Sequence, residues 1–381
     1  MLRTAVFWTH LVCGVAAAAV IVMMSVTGVL LTFERQILAA ADRAQYQAPR
    51  PGAERLDVDT LLALHAHDFQ ATSVSYDADP AAAVTLSAGR SGSIQVDAYT
   101  GERLPESAPR LRAFFAATTG WHRWFNVRGE GRAAARAITG GSNLVLLFLV
   151  LSGLYLWLPK AYRWVAFKAH LKFDRSYPSS KARDYNWHHV IGFWTAIPLA
   201  VVVATAVVFS YGWANDLVYR AFGEAPPARS GDPIGISAEP STYTTPLSLD
   251  ALLTRAMTSG HAWQRITMTL PSKHAGSVSF RLDQGNGGQP QRRHDLLLNA
   301  HTGEVHAWQP FQTQSPGRRA RSFIRYLHTG EALGWVGQSV AGLVSLTSVL
   351  MAWTGLALAY RRLIAPLLRP KRTKRRRAAA S

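Results

Sequence analysis

The chain has 381 residues, with 41 Lys/Arg against 23 Asp/Glu, a formal net charge of +18, and one cysteine, Cys13. A single cysteine excludes an intramolecular disulfide and a C-x-x-C-H site for covalent haem, so any haem is of the non-covalent b type. Cys13 itself lies in an apolar run and is read as packing.

Four segments are long and nearly uncharged, and they dominate the pattern. Thr4 to Phe33 contains only His10 and Cys13 as ionisable groups, and Ala137 to Pro159 has no charge. Tyr185 to Asn215 contains only His188, His189 and tyrosines, and Ala332 to Tyr360 has no charge. Each exceeds the roughly 20 apolar residues needed to cross a bilayer. We place transmembrane helices at 4–33, 132–159, 185–213 and 332–360. The first run is too long for the apolar core of a signal peptide and is kept as a helix.

Charge sets the topology. Arg3, the 160–184 loop and the 361–381 tail together carry 17 Lys/Arg and two acids, Asp174 and Asp184. Segments 34–136 and 212–331 carry 12 basic residues each, against 12 and 9 acids. The positive-inside rule then puts both termini and the 160–184 loop in the cytoplasm and the two large loops outside. The basic stretch Pro370–Arg377 follows a membrane helix directly. It reads as a topogenic, lipid-facing tail rather than a nucleic-acid patch.

The chain reads as a duplicated half. Helices 1 and 3 match without gaps: His10 falls on His188, Gly14 on Gly192, Thr27 on Thr205 and Phe33 on Tyr211. Helix 2 ends in Ser152-Gly153-Leu154 and helix 4 in Thr354-Gly355-Leu356. The approaches to these helices carry Trp121-His122-Arg123-Trp124 and Arg325-Tyr326-Leu327-His328. The external loops repeat as well. Leu56–Leu62 and Leu247–Leu253 read as helix starts. Ile94–Glu102 and Leu297–Glu304 read as strands running into a Thr-Gly turn. Each loop is therefore expected to hold a small α+β module, at 34–131 and 214–331, with irregular loops over 222–247 and 283–292.

Ionisable side chains near a bilayer are costly and need a reason. The topology puts His10 and His188 at the cytoplasmic ends of helices 1 and 3, and His122 and His328 at the external approaches to helices 2 and 4. Two imidazoles per face fit the two axial positions of a haem iron, a saturated arrangement that favours electron transfer over oxygen activation. Gly14 and Gly192, one turn after two of the ligands, leave room for a porphyrin edge. Arg123 and Arg325 are candidates for haem propionates, with Lys160 a weaker one on the other face. Interfacial histidines in aromatic belts are the plainer alternative. Zinc is a lesser competitor, because two histidines per site fall short of its usual ligand count.

The other histidines carry less weight. His65 and His67 point apart on a helix, and His261, His274, His294, His301 and His306 scatter through the second module. His170 belongs to the basic loop, and His189 neighbours the site. Gly129-Glu130-Gly131 lacks the preceding strand of a nucleotide-binding turn. With no flavin or nicotinamide signature, electrons must come from another molecule, a quinol or a cytoplasmic or membrane reductase.

These motifs resemble the PepSY-associated transmembrane family of bacterial inner-membrane proteins. The resemblance rests on His10-x-x-x-Gly14 with Thr27-Gly28-Val29-Leu30, and on Trp121-His122-Arg123 with Ser152-Gly153-Leu154-Tyr155-Leu156-Trp157. It rests equally on Trp187-His188-His189-Val190-Ile191-Gly192 and on Leu327-His328-Thr329-Gly330-Glu331 with Thr354-Gly355-Leu356. Helix 3 departs from the pattern, with Thr205-Ala206-Val207 where helix 1 has Thr27-Gly28-Val29. The four-helix plan is similar to siderophore reductases of the FoxB type. The resemblance implies two PepSY-like periplasmic modules and a two-haem enzyme that reduces ferric siderophore in the periplasm and releases iron. Two other readings stand beside it. One is a cytochrome b subunit serving another periplasmic acceptor; the other is a non-enzymatic PepSY binding or inhibitory protein. No nucleic-acid partner is expected.

Overall fold

The computed structural model describes residues 1–45, 49, 52–159, 164–227, 245–271 and 276–368. Lys160, His274, the tail from residue 369 and most of the 222–247 loop lie outside the described residues. In chain order the elements are α1 (Leu2–Leu31), α2 (Glu34–Arg43), α3 (Val58–His65), β1 (Ser73–Asp77), β2 (Val84–Ser87) and β3 (Ser93–Val96). Next come α4 (Pro109–Trp124), α5 (Arg132–Trp157), α6 (Trp164–Leu171), α7 (Ser180–Ser210), α8 (Gly212–Arg220) and α9 (Leu249–Met257). The chain continues with β4 (Arg265–Thr269), β5 (Ser277–Asp283), β6 (Arg293–Asn299), β7 (Val305–Pro310), α10 (Pro316–His328) and α11 (Gly334–Leu363). Two compact units result. One comprises Met1–Leu30, Thr118–Ser210 and the described part of Val340–Ser381, and the other Leu31–Ala117 and Tyr211–Ser339.

The first unit is a helical bundle. Among the described residues, four helices are long and apolar enough to cross a membrane: the spans Leu2–Arg43, Gly129–Trp157, Ser180–Ser210 and Glu331–Leu363. Its polarity is inverted relative to a water-soluble core. Ser25, Thr27, Ser142, Asn143, Ser152, Thr205, Ser348 and Thr354 are buried, whereas Ile197 is 76% and Leu343 60% exposed. Hydrocarbon outside makes large apolar side chains free to point outward. Small hydroxyl residues inside let helices approach and bond across the contact. Asn143 Nδ2 donates to the Val203 carbonyl at 3.1 Å, joining α5 to α7. At the other end of this antiparallel pair, Trp157 stacks on Phe193 with centroids 4.3 Å apart. Arg3 donates to the carbonyls of Leu156 and Leu158, both at 2.7 Å, so the start of α1 lies at the end of α5. There too, Asp184, nearly fully buried, bonds Arg183 at 2.9 Å and pairs with Arg361, tying α7 to α11.

The second unit holds the strands, and here the expectation of two separate modules is corrected. All seven strands form one antiparallel sheet in the order β3-β2-β1-β4-β5-β6-β7. The junction is β1 against β4, with Val74 opposite Met268 and Tyr76 opposite Ile266. A three-stranded module leaves the outer edge of β1 with unpaired N–H and C=O groups, and β4 satisfies them. Ser75 and Thr267 share a hydroxyl hydrogen bond of 2.8 Å across the junction, and Arg265 pairs with Asp77 at 3.0 Å.

Strand alternation sends Val74, Leu86, Ile266, Met268, Phe280, Leu282, Leu296 and Leu298 to one face, where Val58 and Leu61 of α3 and Leu252, Leu253 and Ala256 of α9 cover them. Both helices start on a side-chain cap: Asp57 accepts from Thr60 N–H and Ser248 from Ala251 N–H. The caps are also crossed, since Val58 N–H donates to Asp250 and Asp250 N–H to Asp59, each at 3.3 Å. The two Thr-Gly turns share one geometry. Asp97 accepts from Tyr99 and Thr100, Asn299 from His301 and Thr302, and Gly101 and Gly303 take φ of +71° and +67°. His65 is structural, with Nε2 bonded to the Gly101 carbonyl at 2.9 Å.

Candidate functional site

Three of the four singled-out histidines share one local arrangement within the bundle. His10 of α1 places Nδ1 2.8 Å from Ser152 Oγ on α5. His188 of α7 places Nδ1 2.9 Å from Thr354 Oγ1 on α11. His122 of α4 places Nδ1 2.9 Å from Thr27 Oγ1 on α1. In each case the residue after the hydroxyl is glycine, and the imidazole edge lies over it. A Cβ at Gly153 would stand 3.4 Å from His10 Cε1, one at Gly355 3.3 Å from His188 Cε1, and one at Gly28 3.5 Å from His122 Cε1. The hydroxyl–glycine step is thus a seat for the ring: the hydroxyl fixes one nitrogen and the missing side chain admits the edge.

The hydroxyls also assign the tautomer. Each has one proton and donates it to a carbonyl one turn back. Ser152 donates to Phe148 at 2.6 Å, Thr27 to Met23 at 2.7 Å and Thr354 to Leu350 at 2.9 Å. With that proton committed, the hydroxyl can only accept from the imidazole, so Nδ1 carries the hydrogen. Nε2 is left with its lone pair. A neutral imidazole whose Nδ1–H is held by a second residue is the form that ligates a metal.

Thr205 on α7 repeats the hydroxyl, donating to Val201 at 2.8 Å, but is followed by Ala206. His328 closes α10 in the sheet unit, with Arg325 in the same last turn. The start of α10 is fixed by Glu224, which accepts from Ser315 Oγ at 2.7 Å and Gly317 N–H at 2.8 Å. These two hydrogen bonds hold the Glu224 carboxyl below its ordinary pKa. Beyond His328, Glu331 pairs with Arg35 at 2.7 Å, and Gln338 donates to the Thr32 carbonyl at 2.9 Å.

His10 and His188 lie at the same end of the bundle, the end marked by Arg3, Trp157 and Asp184. His122 lies toward the opposite end, beside the last turns of α1. Arg123 packs its guanidinium 4.6 Å from the Trp124 ring, with Arg132 at 4.0 Å from the same ring. Gly14 and Gly192, read from sequence as room for a porphyrin edge, face Leu149 and the terminal methyl of Met351. The glycines under the imidazoles are instead Gly28, Gly153 and Gly355. Sequence reading used Thr27, Ser152 and Thr354 only as markers of the repeat. Their recurrence at helix ends was the visible signal.

Among the histidines of the second module, His261 stacks on Trp308 at 3.7 Å and His294 lies 5.1 Å from the same ring. Burial and the neighbouring His261 push the His294 imidazole down from its ordinary pKa.

The donor set suits a ligand that takes two nitrogens per iron. Among the described residues, no group of three His, Cys, Asp or Glu side chains is placed to hold a metal ion, which leaves zinc short of ligands. Neutral imidazoles with Nδ1–H held by a hydroxyl fit haem iron. No curated protein matches the chain. The family model describing the PepSY-associated TM region matches residues 7–378. With a match over nearly the whole chain, four membrane-spanning helices and a separate antiparallel sheet, the chain belongs to the PepSY-associated transmembrane family.

Proposed function

We propose that the chain is a di-haem b-type reductase of the bacterial inner membrane that passes electrons outward to ferric siderophore in the periplasm. The observation that carries this reading is the pinned tautomer. Three histidines, each on a different helix, have Nδ1 bonded to a buried hydroxyl, the tautomer in which Nε2 is the ligating nitrogen. One such histidine is an ordinary interfacial residue; the same seat built three times points to ligation.

His10 and His188 would hold one haem, and His122 and His328 are assigned to the other from their sequence positions alone. Haem iron held this way supplies one-electron transfer. Ser152, Thr354 and Thr27 hold the ligand rings in the tautomer that can donate. Gly153, Gly355 and Gly28 admit the ring edges. Arg3 and the Asp184–Arg361 pair clamp the helix ends around His10 and His188, which keeps the donor positions from spreading. Arg123 and Arg325 are the candidate propionate partners. The lysine and arginine asymmetry orients both termini and the 160–184 loop to the cytoplasm. The two external segments descend from one duplicated half, a reading supported by the matched caps and Thr-Gly turns of their shared sheet.

The test is a reduced-minus-oxidised visible spectrum of the detergent-purified chain with a pyridine haemochrome count. Two b-type haems per chain are expected, with His10→Ala and His122→Ala each removing a different one. Addition of ferric siderophore should reoxidise the reduced protein. Haem without that reoxidation leaves an electron-transfer subunit for another acceptor, and absence of haem leaves a non-enzymatic binding protein.

A further inference from the structure

We propose that Trp157, His170 and His189 form a head-group site for a membrane quinol beside the His188 end of the bundle. The proposal rests on the redox reading above and names the electron donor. The cluster joins three helices. Trp157, the last residue of α5, stacks on Phe193 of α7 with an interplanar angle of 22° and lies 6.0 Å from the His170 ring of α6. His170 lies 5.3 Å from His189, whose ring is 4.0 Å from Tyr185 and 6.4 Å from His188.

Two buried polar atoms here have no hydrogen-bond partner: Trp157 Nε1 and His170 Nδ1. Trp157 is only 8% exposed. Buried polar groups are almost always paired, so an orphaned pair in one cluster calls for an occupant. His189 Nδ1 donates to the Tyr185 carbonyl at 2.9 Å, which leaves its Nε2 as a further acceptor.

The chemistry narrows the occupant. The indole N–H is a donor alone, so the ligand must bring an oxygen acceptor to it. The imidazoles add groups that accept from a hydroxyl. The walls are aromatic rings, and the neighbouring helix faces are apolar, with Trp194 65% exposed. A flat ring bearing oxygens at opposite edges, with an apolar tail for the bilayer, meets all three demands. On oxidation such a quinol loses two O–H hydrogens as protons to water, its two C–O bonds become C=O, and two electrons leave. The oxidant would be ferric haem of the proposed kind, which would take the two electrons one at a time, one per iron.

The test is saturable binding of labelled decylubiquinone to the detergent-purified full chain. Trp157→Phe keeps the ring and deletes the donor. It is expected to weaken binding about tenfold, the worth of one buried hydrogen bond, while the melting temperature stays the same or rises. His170→Phe should weaken binding similarly, and Trp353→Phe should leave it unchanged. No saturable binding, wild-type affinity in Trp157→Phe, or weakened binding together with a lowered melting temperature overturns the site. A dithionite-reduced spectrum keeps the two readings apart. Haem present without quinone binding sinks this inference alone, and quinone binding without haem sinks the reductase reading alone.

Discussion

Replacing Thr354 by valine removes one oxygen and almost nothing else. The side chain is 1% exposed, so shape is preserved in a packed site. The lost group accepts from His188 Nδ1 at 2.9 Å. The Leu350 carbonyl loses a hydroxyl donor but keeps its helical N–H partner, so the main cost falls on the His188 imidazole, which keeps its backbone hydrogen bond at Met351 but loses its hydroxyl partner. One such hydrogen bond is worth about 0.5–1.5 kcal/mol. If the chain holds haem as proposed, a second consequence concerns the iron. An imidazole that donates from Nδ1 is a more basic ligand and favours the ferric state, and loss of an outer-shell partner costs about 10–100-fold in metal affinity. If about tenfold of that is specific to the ferric form, the midpoint potential rises by about 59 mV. Redox potentiometry on the visible α-band, with haem counting, reads both effects. Thr354→Ser retains the hydroxyl and should restore the wild-type value. Unchanged potential, haem content and melting temperature in Thr354→Val would falsify the tautomer argument.

Other outcomes follow from the same geometry. Gly355→Ala puts a Cβ 3.3 Å from His188 Cε1 and must tilt the ring, so the low-spin ferric resonance of the haem proposed there should shift. Gly192→Ala meets the flexible end of Met351 at 2.9 Å and should leave the resonance in place; the reverse ranking contradicts the seat. The lowered pKa of Glu224 means its contribution at the start of α10 is complete above the ordinary value of 4.5 and is lost as pH falls through the folded value. Hydrogen exchange over 316–328 should therefore accelerate in acid in the wild type and show no such step in Glu224→Gln. Phe280→Ala empties a fully buried position and should cost about 3–5 kcal/mol. Because one sheet is shared, strands on both sides of the β1–β4 junction should lose exchange protection together.

The membrane helices were legible because the bilayer imposes a long uncharged run that few other environments demand, as in Ala332 to Tyr360. The histidines were legible through their repetition and the cost of placing them there. Their partners were not, because Ser152 reaches His10 only once α5 is set against α1, a contact between residues 142 apart in sequence. Helices α4 and α10 were read as aromatic approaches. Yet Ser315 followed by Pro316 carries the signature of a helix start, a capping hydroxyl before a proline in the first turn. The sheet junction left no trace, since alternation in Ser73–Asp77 fixes which face is buried but not which strand lies alongside.

That junction bears on how the chain is made. Ser75 and its partner Thr267 are 192 residues apart, and two membrane-spanning helices lie between them. At about 5–20 residues per second, synthesis of the intervening chain takes roughly 10–40 s. Throughout that interval β1 is a bare strand edge on a finished hairpin, open to pairing with any other extended segment. Synthesis of α5 and α7 thus precedes completion of the sheet. A defect that stalls synthesis of either helix leaves an adhesive strand edge exposed on the unfinished chain.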